Sequence, residues 1–353
     1  MLLPPLPAST QDTSLDPLEI NLHGLQTGPE GHSELPDHTA KLFRHSGWQS
    51  TRTAVRKALH DLYADCPRLD RFDQCGTHAW VYYSAKPTPA YCVQANLCND
   101  RWCLPCAQAR ARTIARNLLS LVQQHQARFI TLTLRSTGEP LRDLLDTLYA
   151  SFSKLRRTRL WSSTQTAAAA FVEVKYHADP RHWNVHLHIL ATGKFVQQHR
   201  LSAEWHRITG TSYIVDIRLV RSSKEAASYI TKYASKPIGT AVAKHPDALT
   251  EAIHALNHRR LCLTVGAWRG QRLTRTPDDR TWFPVAPLYE IIAKAHQHDP
   301  EAEYILRVLR GEQTPEPRLQ LPVHDPPSPA RPAPTSLFTQ LDWTDWLTQI
   351  PRW

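Results

Sequence analysis

No stretch of the sequence approaches 18 consecutive apolar residues, so a membrane-spanning helix is excluded. Its opening residues, Met1 to Ser9, lack Lys and Arg and soon turn polar, the wrong pattern for a secretory leader; the expectation is a cytoplasmic protein. A glycine-rich loop closing on Gly-Lys-Ser/Thr is missing too. Gly193-Lys194-Phe195 comes closest and fails at the hydroxyl position, so no built-in ATPase or helicase motor is expected. Only 12 glycines stand against 27 prolines in 353 residues, and nothing repeats, which argues against fibrous and repeat designs. What is left is a basic, mixed α and β protein.

Lys and Arg number 42 against 32 Asp and Glu, a net charge of +10 with 19 His besides. The charge is uneven. Residues 1–40 hold six acids and no Lys or Arg, whereas residues 101–160 hold eleven Lys or Arg against three acids. A basic middle between acidic or neutral ends suggests a polyanionic partner, most simply nucleic acid.

Composition and periodicity divide the chain into five parts. Residues 1–45 read as a mobile acidic leader, 46–112 as a cysteine-rich zinc-binding region, and 113–275 as the main domain. Residues 276–312 read as a helical extension, and 313–353 as a Pro-rich linker with an aromatic end. Within the main domain, Phe129-Ile-Thr-Leu-Thr-Leu134 alternates as a strand, and Leu141, Leu144, Leu145, Leu148, Phe152 and Leu155 recur at helical spacing. Two more alternating strands, 171–176 and 184–190, precede a helix over 198–208, a strand over 213–220 and a helix over 223–236. The order β-α-β-β-α-β-α predicts an α+β fold, a ferredoxin-like or split-βαβ plan whose antiparallel-rich sheet is backed by helices.

Five of the seven cysteines, Cys75, Cys92, Cys98, Cys103 and Cys106, fall within about thirty residues. Cys103-Leu-Pro-Cys106 is a tight knuckle that points two thiolates at one tetrahedral metal, and the upstream cysteines compete for the remaining places. The alternative is a redox pair. Arg110, Arg112 and Arg116 follow along a helix, where they would offer positive charge to DNA.

On the strand 184–190, Val185, Leu187 and Ile189 share one face and His186 and His188 the other. Two imidazoles on one face chelate a divalent metal readily, and Glu173 could add an oxygen if its strand pairs alongside. The helix from Ser222 opens with a possible capping box, Ser222 with Glu225. Ala227, Ile230 and Ala234 read as its core stripe. Glu225, Tyr229, Lys232, Tyr233 and Lys236 form a second stripe. A phenol is a poor nucleophile at neutral pH. It needs a phosphate polarised by a metal and clamped by a cation, parts the His pair and the two lysines could supply.

In this order the segments resemble rolling-circle replication initiators of the HUH endonuclease superfamily, of the bacterial plasmid type. Phe129–Leu134 resembles the first motif, Asn184-Val-His-Leu-His-Ile-Leu190 the His-hydrophobic-His motif, and Tyr229-Ile-Thr-Lys-Tyr233-Ala-Ser-Lys236 the tyrosine motif. The block from Cys75 to Cys106 is similar to the cysteine region of plasmid replication proteins, with Cys75, Cys98, Cys103 and Cys106 the best-matched zinc ligands and Cys92 an extra or substitute. The resemblance implies Mg²⁺ or Mn²⁺ on His186, His188 and Glu173. It also implies tyrosine attack on a phosphodiester of single-stranded or hairpin origin DNA. The products would be a 5′-phosphotyrosine and a 3′-OH primer, with religation later. Lacking a motor, such a protein would depend on a host helicase and polymerase. Tyr229 fits both the two-tyrosine pattern, with Tyr233, and the one-tyrosine pattern in which Glu225 activates water. Two rivals stand beside this reading: a two-tyrosine HUH transposase, and a zinc-containing DNA-binding regulator without catalysis. A relaxase would place its tyrosine before the histidines.

Overall fold

In a computed structural model, residues 35–317 are described, apart from 65, 123–125, 137, 180, 236–239 and 275–278. Most of the expected leader, the Pro-rich and aromatic end, and Lys236 lie outside the described residues.

Three helices open the described chain: α1 (Leu35–Arg44), α2 (Gln49–Tyr63) and α3 (Pro67–Asp73). The first corrects the reading of residues 1–45 as leader throughout. Asp37 is the one acid within it, and Ala40, Phe43 and Arg44 turn inward at helical spacing. A hairpin follows, β1 (Trp80–Ser84) and β2 (Ala90–Gln94), and then the cysteine loop and α4 (Leu104–Val122). The main body runs β3 (Ala127–Leu134), α5 (Leu141–Leu155), α6 (Arg159–Thr164), β4 (Gln165–Ala178), β5 (Arg181–Gly193), α7 (Gln198–Thr209), β6 (Val215–Leu219) and α8 (Ser223–Ser235). Next come α9 (Pro246–Ala255), β7 (Cys262–Gly266), β8 (Phe283–Pro287), α10 (Leu288–His296) and α11 (Pro300–Leu309).

Strands line up in the order β6-β3-β5-β4-β7, every neighbouring pair antiparallel. Without β7 this is the ferredoxin-like order, so the expected fold class is what the chain adopts. The second sheet, β2-β1-β8, draws its third strand from the far side of the main body. Residues assigned in sequence to the cysteine-rich region and to the helical extension therefore share one sheet and one core, with α1, α10 and α11 packed on it.

The five-stranded sheet buries both faces by different means. On one, Ile130, Leu132, Val172, Val174, Val185, Leu187 and Ile189 meet the leucine stripe of α5, Leu201 and Trp205 of α7, and α9. All six apolar positions expected on α5 are buried. On the other face, α4 and α8 pack against Phe129, Leu190, Phe171 and two alanines, Ala167 and Ala169. These small side chains let α8 lie close to the sheet. The helix buries Ala226 and Ile230 and packs Tyr229, Tyr233 and Ala234 against the same cluster, so of the expected stripe Ile230 and Ala234 hold and Ala227 gives way to Ala226. Ala226, Tyr229, Ile230 and Tyr233 are i, i+3, i+4 and i+7, one continuous helical face.

Close packing at the alanines is open to test. Ala169 is fully buried. Ala169→Leu is expected to cost about 1–3 kcal/mol in chemical denaturation, because added methylenes force α8 outward.

Candidate active site and cysteine cluster

Cross-strand register assembles the histidine site. Thr131 of β3 lies opposite His188, and His188 opposite Phe171 of β4; one step along, Thr133 lies opposite His186, and His186 opposite Glu173. Opposed residues point to the same side of the sheet, which puts the imidazoles, two threonines and the carboxylate on the face that α8 covers. Thr131 Oγ1 is 3.2 Å from His188 Nδ1, and Thr133 Oγ1 is 3.2 Å from His186 Nδ1. These hydroxyls fix both rings at Nδ1 and leave the Nε2 atoms for other partners, as outer residues do around metal-binding histidines.

His188 Nε2 lies 2.9 Å from Glu173 Oε2, and Lys175 Nζ 3.4 Å from the same oxygen. Burial opposes ionisation of Glu173, yet the hydrogen bond from His188 and the charges of His188 and Lys175 outweigh it and hold the carboxyl below its ordinary range. Burial, reinforced by Lys175, lowers His186 to about 4, so this imidazole is neutral at pH 7, the form that binds metals.

The tyrosines meet the same ring. The Tyr229 hydroxyl is 3.3 Å from His188 Nδ1, and its ring stacks on Phe129 with centroids 3.7 Å apart. Tyr233 offers its face instead, stacked on His188 at 3.5 Å. Burial raises the Tyr229 phenol well above its usual range; a hydrogen bond with Thr131 opposes this, and Tyr233, Asp216 and Glu173 add to it. The phenol is thus held protonated at neutral pH, and attack by its oxygen requires help.

The other expected site residues are spread more widely. Glu225 accepts from the Arg221 amide at 2.8 Å, while its own amide donates to Ser222 Oγ at 3.1 Å. The expected cap is present, and it engages the Glu225 carboxylate at the helix start. Lys232 is exposed, its ammonium 4.9 Å from the Tyr233 ring centre. Arg110 and Arg116 are exposed on α4, with Arg110 donating to the Asn99 carbonyl, and Arg112 is half-buried. Thr131, Thr133 and Lys175 went unread in the sequence, although alternation along β3 and β4 puts all three on the site's face.

Four of the five clustered cysteines converge. The sulfurs of Cys75, Cys98, Cys103 and Cys106 all lie within 4.8 Å of one another, and among the described residues only they form a tight metal-ligating group. Cys75 is 3.7 Å from Cys103 and 3.6 Å from Cys106, and Cys98 is 3.7 Å from Cys106. A tetrahedron with zinc–sulfur bonds of about 2.3 Å has edges of about 3.8 Å, so the donor set fits zinc. Cys92 is not part of the group. It lies on β2, opposite Tyr82, in the smaller sheet, which removes it as an extra or substitute ligand.

Cations surround the sulfurs. Arg44, fully buried, donates to Cys106 Sγ at 3.5 Å, and Arg52 approaches Cys103 Sγ at 3.9 Å. Burial works against the Arg44 charge, but the sulfurs of Cys106, Cys75 and Cys103 hold the guanidinium above its ordinary range. His45 Nε2 sits 3.6 Å from Cys103 Sγ. Burial lowers His45, which stays neutral, with Nδ1 donating to the Lys41 carbonyl at 2.8 Å. No spacing signal ties residues 44, 45 and 52 to the cysteines.

Comparison with known proteins covers the same ground. The family described as Replication protein matches residues 90–282, more than half of the chain. The chain belongs to that family. A relative, Protein rep of Staphylococcus aureus, is 25% identical over 188 residues, 48% of this chain and 82% of that protein. No solved structure matches the chain. The span shared with the replication-protein family contains the five-stranded sheet, both tyrosines and three of the four converging cysteines. Among the described residues, no helix is long and apolar enough to cross a membrane.

The cysteine geometry has a direct check. Zinc analysis of the purified protein is expected to give about one equivalent per chain, reduced below a tenth in Cys98→Ser or Cys106→Ser and unchanged in Cys92→Ser.

Proposed function

We propose that this replication protein initiates rolling-circle replication of a plasmid, in the bacterial cytoplasm, by nicking single-stranded or hairpin origin DNA. One observation carries the reading: in a chain of a replication-protein family, the Tyr229 hydroxyl comes within 3.3 Å of the histidine pair's His188. Tyr229 is the first nucleophile in this proposal, because its hydroxyl, rather than its ring face, meets the imidazole. Its oxygen attacks the scissile phosphorus, a 5′-phosphotyrosine bond forms, and the bond to the 3′ oxygen breaks to give the primer terminus. The adduct keeps the phosphodiester's energy for religation, for which Tyr233 and Glu225 are the neighbouring candidates.

His186, His188 and Glu173 are suited to hold Mg²⁺ or Mn²⁺, since two threonine-anchored imidazoles and an ionised carboxylate share one face. Bound there, the metal would offset negative charge on the attacked phosphate. His188 has a second part. Its Nδ1, shared with the Thr131 hydroxyl, lies 3.3 Å from the Tyr229 oxygen and orients that hydroxyl; in the attack the phenol's proton is released, and the departing 3′ oxygen takes one up to become the primer's 3′-OH. Lys232, exposed beside Tyr233, supplies a cation for phosphate, as does Lys236 in the sequence reading. The four cysteines would hold zinc and with it the start of α4, and Arg110 and Arg116, with Arg112, give the salt-dependent share of origin binding. Unwinding and synthesis fall to a host helicase and polymerase.

The test is incubation with single-stranded origin DNA and Mn²⁺, read on denaturing gels. A covalent adduct is expected from the wild type and none from Tyr229→Phe, with DNA binding retained. Normal adduct formation by that variant would assign attack to another residue. His186→Ala is expected to lower metal-dependent nicking at least a hundredfold; an undiminished rate would overturn the ligand assignment.

A further inference from the structure

Five large hydrophobic side chains are conspicuously exposed among the described residues, and three of them, Tyr213, Ile214 and Leu219, lie on β6 or in the two residues before it. This strand is at the edge of the sheet and pairs only with β3. Tyr213 is 61% exposed and Ile214 59%, too much apolar surface in one place to be incidental. Beside them a groove of about 570 Å³ opens between the edge strand and α7, lined by Gln198, His199, Ser202, Tyr213, Ile214 and Val215.

The groove opens on the α7 side of the sheet and meets the histidine side at the β6 edge, where Ile214 belongs to both. Thr133 donates its amide to the Ile214 carbonyl at 3.1 Å, which continues the β3–β6 ladder by one step. Ile214, Thr133, His186 and Glu173 then form one row across the sheet. Ile214 is two strands from His186, about 10 Å at ordinary strand spacing. Exposed cations stand on the elements around this edge: Arg200 at the start of α7, Arg135 just past β3, and Lys194 after β5. The nearby acids Glu204 and Asp216 are each paired, with Arg207 and Arg218. An exposed aromatic ring in a mostly apolar groove, bordered by positive charge, is the combination that binds unpaired nucleotides.

We propose that the groove between β6 and α7 binds a nucleobase of single-stranded DNA, with the base stacked on Tyr213, as the strand leaves the histidine site over the β6 edge. The proposal rests on the nicking function above for its substrate and adds a separate subsite that holds the strand once it has passed round the sheet edge. Gln198 spends its amide N–H on the Val215 carbonyl at 2.8 Å, which leaves its side-chain oxygen to accept from a base edge.

Fluorescence anisotropy with a labelled 20-nucleotide oligothymidylate, in the absence of divalent metal, tests the subsite apart from chemistry. Tyr213 is exposed, so substitution there leaves the core alone. Tyr213→Ala is expected to bind about tenfold more weakly, as for loss of one stacked base. Tyr213→Phe should bind like the wild type, and the salt dependence should be the same in all three proteins, because no phosphate contact is lost. Equal affinity of the alanine variant overturns the proposal, as does an altered salt slope. So does a chain that runs as a dimer which Tyr213→Ala turns monomeric without changing affinity, since the edge would then be joining two copies. Wild-type protein that shows the Tyr213 dependence yet forms no tyrosine adduct supports the subsite and sinks the nicking function. Wild-type protein that forms the adduct while Tyr213→Ala binds normally sinks the subsite alone.

Discussion

The antiparallel register of β3, β5 and β4 is the constraint on which the histidine site depends. It sets Thr131 and Thr133 behind the two imidazoles and Glu173 in front. A slip of one residue would turn His186 and His188 into the α5 and α7 core and expose the alternate side chains. That slip is forbidden by the other face. Seven branched or long aliphatic side chains are buried there, each contributing about 1.5–3 kcal/mol, together comparable with the net stability of a whole domain, about 5–15 kcal/mol. The core thereby fixes polar geometry it does not touch.

The cysteine cluster follows a different logic, in which charge balance is as important as donor number. Four thiolates around one zinc ion would carry a net charge of −2, and burying that charge would require compensation. Arg44 comes from the end of α1 and Arg52 from α2, while the sulfurs come from the end of α3, the loop after β2 and the start of α4. The N-terminus of α4 adds its own partial positive charge. Charge thus reinforces the apolar packing of α2 and α3 around the sulfurs, and Arg44 joins the smaller core's helix to the cysteine group.

Much of the main body was legible in the sequence because alternation and helical spacing are strong there. The α5 stripe, the imidazole face of β5 and the ferredoxin-like order needed only periods of two and 3.6. Partners across space were harder. How closely α8 meets the sheet depends on small side chains at 167 and 169 in a strand nearly sixty residues earlier, so the spacing finds Ile230 and Ala234 but takes Ala227 in place of Ala226. Proximity along the chain made Cys92 look like a ligand, whereas its strand carries it into the other sheet. Nothing local betrayed α1, whose inward positions are few and include an arginine. The two sheets could not be separated either, since β8 is far from β1 in sequence and its Phe-Pro-Val-Ala-Pro run has no strand period.

That distance governs the order of events at the ribosome. Domains fold largely as they emerge, N-terminal parts first, but β1 has β8 as its second neighbour. The β1–β2 hairpin must therefore wait, one edge unsatisfied, while the entire five-stranded body is translated. The smaller sheet closes last, and its closure marks a chain whose body is already complete.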